Sequence, residues 1–180
     1  MTEKLISIKH ERDIPKRYQK TPIAKLLQYH NLRAPLDNYE NAELLILMCM
    51  DNRLMLRLPR KFSFVIRNSG AVLKDAFFSI SFAIAVGEIQ HIVVIGHSDC
   101  TMVDLESKKE AYIKGLSERC GWKRDEAETY FLNMFPYFTK TDAAGSASID
   151  TKLTRYKFPG VLVAPLFYSI EDNSLYLLEE

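Results

Sequence analysis

Three short apolar segments constrain the fold of this chain more than any other feature. They are residues 44–48, 62–66 and 92–95, which read LLILM, FSFVI and IVVI. The first and third runs are typical of strands covered on both faces, as in a parallel sheet, and the second run predicts a further strand. Residues 74–88, between the second and third segments, have the apolar content of a helix. This alternation predicts an α/β fold with a central, mainly parallel sheet flanked by helices.

The beginning of the chain predicts an arm followed by a helix. Residues 1–18 are polar, and Thr21-Pro22 marks a helix start, because proline is favoured at the first helical position. No repeat or glycine-rich linker divides the sequence further. We therefore expect one domain over residues 1–180, in which residues 1–35 form an N-terminal arm and helix.

The later segments predict further helices and a closing hairpin. Residues 101–140 are expected to be helical, residues 141–149 to form a surface loop, and residues 161–178 to form a terminal hairpin. The helix over residues 74–88 carries several large apolar side chains that we expect to be largely buried: Phe77, Phe78, Phe82, Ile84 and Ala85.

Composition and charge exclude several classes of function. Hydrophobic residues make up 47% of the chain, charged residues 26%, and the formal net charge is +1. This balance does not predict a nucleic-acid-binding surface. The apolar segments are too short to cross a membrane, and residues 1–12 lack the apolar core of a signal peptide. Together with three cysteines in no paired pattern, these features predict a cytoplasmic protein.

Polar side chains with metal-binding chemistry follow the first and third apolar segments. The first is followed by Cys49-Met50-Asp51-Asn52-Arg53 and the third by His97-Ser98-Asp99-Cys100. Because the carboxyl ends of parallel strands meet at one edge of a sheet, we expect these segments to converge there. Two thiolates and one imidazole are the ligand set of a Cys₂His zinc site with one open position. The sequence therefore predicts a zinc site formed by Cys49, His97 and Cys100.

Charged residues next to these ligands predict a second layer of chemistry. Asp51 lies two residues after Cys49 and could accept a hydrogen bond from zinc-bound water, or ligate the metal itself. Arg53 is placed to pair with Asp51 and to hold it ionised. Asp99 is expected to cap a helix or to face solvent. The turn Arg67-Asn68-Ser69-Gly70 is expected to support the site through its backbone amides.

The motifs Cys-x-Asp-x-Arg, Arg-Asn-x-Gly and Gly-His-x-x-Cys, in this order, resemble the β-class carbonic anhydrase family. The resemblance implies that Cys49, His97 and Cys100 bind one zinc per chain and that Asp51 and Arg53 form the catalytic dyad. It implies reversible hydration of carbon dioxide to bicarbonate by zinc-bound hydroxide. It also implies a homodimer or higher oligomer, in which an N-terminal helical arm packs on the partner subunit.

Three features leave the substrate and the state of the metal open. Relatives that hydrolyse carbonyl sulfide or carbon disulfide share the same zinc motifs. A non-catalytic homologue with a closed zinc site, in which Asp51 is the fourth ligand, fits the same residues. Thr101 stands where the family usually has glycine, and residues 104–157 do not match a typical member.

Overall fold

A computed structural model, which describes residues 3–180, contains one six-stranded sheet flanked by helices. The strands are β1 (Leu5–Ser7), β2 (Leu44–Cys49), β3 (Ser63–Asn68), β4 (His91–His97), β5 (Leu162–Ser169) and β6 (Ser174–Leu178). The helices are α1 (Pro22–His30), α2 (Leu73–Ala85), α3 (Lys109–Cys120), α4 (Arg124–Phe138) and α5 (Ala143–Lys157).

The strands lie in the order β1-β6-β5-β4-β2-β3. The four strands from β5 to β3 are parallel, whereas β6 is antiparallel to β5 and β1 is antiparallel to β6. The predicted central, mainly parallel sheet is therefore confirmed, and so is the terminal hairpin, which consists of β5 and β6. Because β2 and β4 are direct neighbours, their carboxyl ends bring Cys49 and His97 to the same edge.

The apolar run of β2 is explained by helices on both sides of the sheet. Ile46 and Met48 pack in one core with residues of α1, while Leu45 and Leu47 pack in a second core with α2 and α5. All six residues of β2 are buried, as expected for a strand covered on both faces. Burying a leucine or isoleucine side chain contributes roughly 1.5–3 kcal/mol, so this strand anchors the fold.

The region after β4 differs from the sequence prediction at one point. Residues 101–140 are mainly helical as predicted, with α3 and α4 separated at Gly121, whose φ is +72°. The loop predicted over residues 141–149 is wrong, because α5 begins at Ala143. Asp142 starts this helix by accepting hydrogen bonds from the backbone N–H groups of Ala144 and Gly145.

Close packing explains the small residues at the beginning of α5. A Cβ atom added to Gly96 of β4 would lie 2.5 Å from the carbonyl oxygen of Ala143. The helix therefore approaches the strand at a distance that only small side chains permit. The small and polar residues that led to the prediction of a surface loop are therefore required by the close contact between α5 and β4.

Helix α2 also corrects the prediction about its large side chains. Phe78 is 81% exposed and Phe82 is 55% exposed, and Ala85 is exposed as well, while Phe77 and Ile84 are half-buried. The buried residues lie at helical spacing on the face toward the sheet: Leu73, Ala76, Ile80 and Ala83. Small and medium side chains suit that face because the helix lies directly on the strands.

The N-terminal segment packs on its own chain. Strand β1 pairs with β6, and α1 contributes buried residues to the core on one face of the sheet. The described part of this segment therefore consists of an edge strand and a helix, and the expectation that it packs on a partner subunit stays a prediction. Within residues 3–180, none of the helices combines the length and apolar character that a membrane span requires.

Candidate metal centre

Three buried donor atoms converge at the carboxyl ends of β2 and β4. Cys49 ends β2, His97 ends β4, and Cys100 follows three residues later. Their ligand atoms all lie within 4.8 Å of one another, and the residues are only 6%, 1% and 7% exposed. The structure thus brings together the three side chains that the sequence assigned to one zinc ion.

The imidazole of His97 is oriented as a metal ligand requires. Its Nδ1–H donates a hydrogen bond to the backbone carbonyl of Ser98 at 2.8 Å. This bond leaves Nε2 as the nitrogen with the free lone pair. Nε2 is buried and, among the described residues, has no hydrogen-bond partner. A buried polar atom of this kind is costly unless it has a ligand, so the arrangement fits a metal ion.

The two thiols also fit a cation between them. The Cys100 thiol donates to Cys49, and this contact lowers the pKa of Cys49 and raises the pKa of Cys100. The second thiolate is disfavoured because it would stand beside the first. A divalent cation would remove this conflict by stabilising both thiolates together. Two thiolates and one imidazole are a donor set that zinc prefers.

The turn after β3 supports Cys49, as the sequence analysis expected. The backbone N–H of Gly70 donates to the Sγ of Cys49 at 3.3 Å. Gly70 has a φ of +75°, and a Cβ atom at this position would lie 2.8 Å from Cγ of Met102. Glycine is therefore needed here both for the left-handed backbone and for the close approach of the segment after Cys100.

Asp51 is held by Arg53 beside the three donors. The Arg53 side chain donates through Nε to Oδ1 of Asp51 at 3.0 Å and through Nη2 to Oδ2 at 2.7 Å. The Arg53 backbone N–H donates to Oδ1 as well, at 2.9 Å. The hydrogen bond from Arg53 lowers the pKa of Asp51 to about 2, so this carboxylate is ionised near neutral pH. Among the described residues, Asp51 does not join the cluster of possible metal ligands.

Arg67 fixes the loop that carries Asp51. Its guanidinium donates to the backbone carbonyls of Cys49 at 3.0 Å, Asp51 at 2.8 Å and Leu54 at 3.0 Å. The sequence analysis expected only backbone amides from this turn and missed the role of the side chain. Three carbonyls on one arginine give the loop a defined shape without a helix or strand.

Asp99 does not cap a helix as one expectation had it. Its side chain is 79% exposed, and its Oδ2 accepts a hydrogen bond from Nη1 of Arg53 at 2.6 Å. Ser98 also contacts a neighbouring segment, because its Oγ accepts a hydrogen bond from the backbone N–H of Ile170 at 2.9 Å. Both polar residues between the ligands are thus used to hold neighbouring segments.

A largely buried lysine and an apolar cavity lie close to the segments that carry the three donors. The Lys140 side chain is only 10% exposed and its Nζ lies 3.8 Å from Asp150, while its charge acts to lower the pKa of Cys100. A cavity of about 220 Å³ lies next to Ser69 and Met102. Its other lining residues are mostly aromatic or apolar: Leu105, Tyr112, Tyr130, Phe131, Met134, Phe135 and Phe138.

Comparison with known proteins agrees with this geometry. Residues 44–129 match the family model described as carbonic anhydrase. A Bacillus subtilis (strain 168) protein named "Putative carbonic anhydrase YtiB" is 30% identical over 138 residues, covering 67% of this chain and 72% of that protein. The chain belongs to the β-carbonic anhydrase family.

Solved structures show that this member of the β-carbonic anhydrase family has the family fold. A carbonic anhydrase from Glaciozyma antarctica superposes with a TM-score of 0.64 at 18% identity, covering 92% of this chain and 100% of the other. A carbon disulfide hydrolase in its apo form superposes with a TM-score of 0.58 at 19% identity, covering 92% of both chains. At sequence identities this low, the superpositions establish the common fold and nothing beyond it.

Three residues near the centre of this β-carbonic anhydrase family member were missed as site residues. They are the Arg67 side chain, Asp99 in its contact with Arg53, and Lys140. Lys140 follows α4 and reaches the centre only through the fold, so the sequence near the motifs carries no signal for it. Arg67 and Asp99 lie inside the motifs. Their charge, next to the segments that carry the donors, was the only feature of the sequence that could have indicated a role for these side chains.

Proposed function

We propose that the chain is a zinc-dependent carbonic anhydrase that catalyses the reversible hydration of carbon dioxide to bicarbonate. Cys49, His97 and Cys100 would hold one zinc ion per chain, and Asp51 and Arg53 would be the catalytic dyad. The observation that carries this proposal is the cluster of three buried donors within 4.8 Å of one another, with an ionised carboxylate held beside it.

Different residues of the site would hold the metal, orient the attacking water and exclude bulk water. Zinc, when bound, supplies a Lewis acid that makes water a nucleophile near neutral pH. Asp51, ionised and held by Arg53, is suited to accept a hydrogen bond from the attacking water and to orient it. His97 is fixed by Ser98, and the burial of all three donors keeps bulk water from competing for them.

A direct test is stopped-flow hydration of carbon dioxide by protein whose zinc content has been measured. We expect turnover by the zinc-loaded protein, no zinc binding by Cys100→Ala, and retained zinc without turnover in Asp51→Ala. Full zinc occupancy without turnover of carbon dioxide at about pH 7 and at about pH 8.5 would favour first the hydrolysis of carbonyl sulfide or carbon disulfide, and after it the non-catalytic alternative. Undiminished turnover in Asp51→Ala would remove Asp51 from the mechanism.

A second candidate is hydrolysis of carbonyl sulfide or carbon disulfide at the same centre. The cavity next to Ser69 and Met102 favours it, because every residue that lines this space is uncharged. All three substrates are uncharged, but carbonyl sulfide and carbon disulfide are larger and more polarisable than carbon dioxide and gain more from contact with apolar walls. Parallel assays with the three substrates on one zinc-loaded preparation decide between the candidates, since the preferred substrate will have the largest kcat/KM.

We also propose that the protein works as a homodimer or higher homo-oligomer. Strand β3 is the last strand of the sheet, and α2 lies beside it with exposed aromatic side chains. We call the apolar residues of this edge that lie on the side of α2 the aromatic patch: Phe64, Phe78, Phe82 and Val86. Their exposures range from 46% to 81%, which is unusual for contiguous large apolar residues on a monomer.

Sedimentation velocity tests the aromatic patch as the contact between copies. Phe78→Asp is expected to shift the wild-type oligomer to a smaller species, because the charge would be buried in the contact. Leu132→Asp is a matched control, since Leu132 is 52% exposed on α4 and lies outside the patch. Equal sedimentation of both variants and wild type would exclude this surface.

We further propose a cytoplasmic location, supported by the free thiols. Cys49 and Cys100 are buried without a disulfide and Cys120 is exposed without one. A reducing compartment keeps such thiols available as metal ligands. Cell fractionation with a specific antibody tests this proposal.

A further inference from the structure

One guanidinium links the two segments that carry the donors. Arg53 lies four residues after Cys49, on the loop that follows β2. Its Nη1 donates to Oδ2 of Asp99 at 2.6 Å, and its Nη2 donates to the backbone carbonyl of Asp99 at 3.1 Å. Asp99 lies between His97 and Cys100 on the segment that follows β4. The contact therefore bridges the two strand ends at the edge of the sheet.

The hydrogen bonds to Asp51 and to Asp99 use different parts of the guanidinium. Asp51 receives Nε–H and one N–H of Nη2, whereas Asp99 receives N–H groups of Nη1 and Nη2. A guanidinium has five N–H donors in a rigid planar fork, so the two sets of bonds do not compete. Asp99 instead binds the N–H groups that Asp51 leaves free, and this second contact restricts rotation of the guanidinium plane.

The backbone of Asp99 is adapted to this contact. Its φ is +53°, in the left-handed region that aspartate and asparagine tolerate better than other residues with side chains. This sharp turn lies between two donors that face the same centre, and the Asp99 carbonyl and carboxylate both reach Arg53. A residue that only faced solvent would have no need for two simultaneous contacts with one arginine.

Stability does not account for the contact. The side chains of Arg53 and Asp99 are 41% and 79% exposed, and exposed ion pairs contribute little to folding. A contact that adds little stability but restricts one guanidinium is suited to positioning. The group positioned is Asp51, which depends on Arg53 for the hydrogen bonds to both of its carboxylate oxygens.

We propose that Asp99 is a positioning residue that locks Arg53 and thereby keeps the Asp51 carboxylate in one orientation, outside the cluster of metal donors. The consequence for turnover rests on the proposed function of the site, whereas the lock itself does not. Without Asp99, Arg53 is held by Asp51 alone, and the Asp51–Arg53 pair is no longer fixed in one orientation.

The lock is measured on the zinc-loaded protein by NMR of the arginine side chains. Exchange of the Arg53 Nε–H with water is expected to be slow in the wild type and to become faster in Asp99→Asn, which keeps the size of the side chain but loses its charge. The thermal midpoint should stay at the wild-type value, because Asp99 is exposed. Asp104→Asn is the matched control, since Asp104 is 70% exposed in the short 3-10 helix that follows Cys100 and pairs with Lys108.

The kinetic readout separates positioning from binding. Asp99→Asn is expected to lower kcat roughly tenfold, the usual effect of losing a partner that orients a catalytic group. KM and zinc content should be unchanged, and Asp104→Asn should match the wild type in every measurement.

Each outcome decides the proposal. Faster Nε–H exchange together with the lower kcat supports it. Exchange as slow as in the wild type overturns it, whatever the activity, and faster exchange with unchanged kcat removes the positioning role. If the wild type turns over none of the three substrates, the proposed function fails, while the exchange comparison still decides whether Asp99 locks Arg53.

Discussion

Two charged clusters at opposite ends of the sheet use the same residue types for different purposes. At the carboxyl ends of the strands, one arginine, Arg53, serves the two carboxylates of Asp51 and Asp99. Near the amino end of β5, one carboxylate, Glu180, pairs with Arg17 and Arg155 and accepts a hydrogen bond from the Tyr18 hydroxyl at 2.8 Å. We call these the rim cluster and the terminal cluster.

The difference lies in burial and in what each cluster connects. Glu180 is 12% exposed and ties together the N-terminal segment, α5 and the end of the chain, which are far apart in sequence. The rim cluster is more exposed, carries excess negative charge, and connects two loops that already lie side by side. The burial of the terminal cluster and the distant segments that it connects indicate that it stabilises the fold. The rim cluster is exposed and lies beside buried donors without partners, which indicates a role in the reaction.

The largest expected effect is the loss of metal when one donor is removed. Cys100→Ala should abolish stoichiometric zinc binding, because an open site with three protein ligands cannot be completed by two. Cys120→Ala, which removes an exposed thiol at the end of α3, should bind zinc like the wild type. Metal analysis after gel filtration measures both, and one zinc per chain in Cys100→Ala would contradict the assigned donor set.

The next effect separates the rim cluster from the terminal cluster. Asp51→Asn should lower carbon dioxide turnover about a hundredfold or more, since the amide cannot accept and orient as a carboxylate does. Glu180→Gln removes a carboxylate from the terminal cluster and should keep the turnover of each folded molecule. Stopped-flow assays normalised to zinc content compare the two, and equal losses would end the distinction between the clusters.

A smaller effect is expected at the buried lysine beside the centre. Lys140→Met should weaken zinc binding about tenfold, because its charge favours the thiolate form of Cys100. Lys152→Met is the control, since Lys152 is exposed on α5. Competition with a chromogenic chelator gives both affinities, and identical values would show that Lys140 serves only its pair with Asp150.

Substitutions in the terminal cluster should lower the stability of the fold and leave the activity unchanged. Arg155 donates to Glu180 and, through Nε, to the carbonyl of Val163 at 3.0 Å. Arg155→Met should lower the free energy of unfolding by roughly 1 kcal/mol, because the pair is partly exposed. Arg124→Met, which removes an exposed pair with Glu110, should change it less. Urea denaturation measures both values.

The smallest effect is the pH dependence of that stabilisation. Burial alone would raise the pKa of Glu180, but hydrogen bonds from Arg155 and Tyr18 and the charges of Arg155 and Arg17 outweigh it, so the pKa is lowered. A lowered pKa stabilises the fold above the unfolded value of 4.5, and this contribution is lost as the pH falls through the folded value.

Thermal unfolding of wild type and Glu180→Gln across pH checks this sign. The wild type should have the higher midpoint at pH 7, and the gap should shrink below pH 4.5, the unfolded value. Because the cluster is partly screened, we expect a difference below about 1 kcal/mol. A gap that widens on acidification would reverse the assignment.

The sequence predicted the sheet and the donors because both depend on local patterns. The unbroken apolar run of β2 is explained by cores on both of its faces, and the donors stand directly after β2 and β4. The rule that parallel strands end at one edge is then sufficient to bring Cys49, His97 and Cys100 together.

The parts that the sequence did not predict depend on long-range packing. Helix α2 is apolar on more than one side, so its pattern alone does not show that Ala76 and Ala83, instead of Phe78, face the sheet. The small residues of α5 resemble a loop until their contact with Gly96 is known. The partner of Asp99 lies 46 residues away and has no local signature.

The neighbouring order of β5, β4 and β2 also has a consequence for synthesis on the ribosome. The donors occupy residues 49–100, but β5, which pairs with β4 along seven positions, starts at Leu162. During translation the thiols therefore emerge well before the strand that completes their support. The centre can therefore take its final shape only after the C-terminal hairpin has been synthesised and has folded.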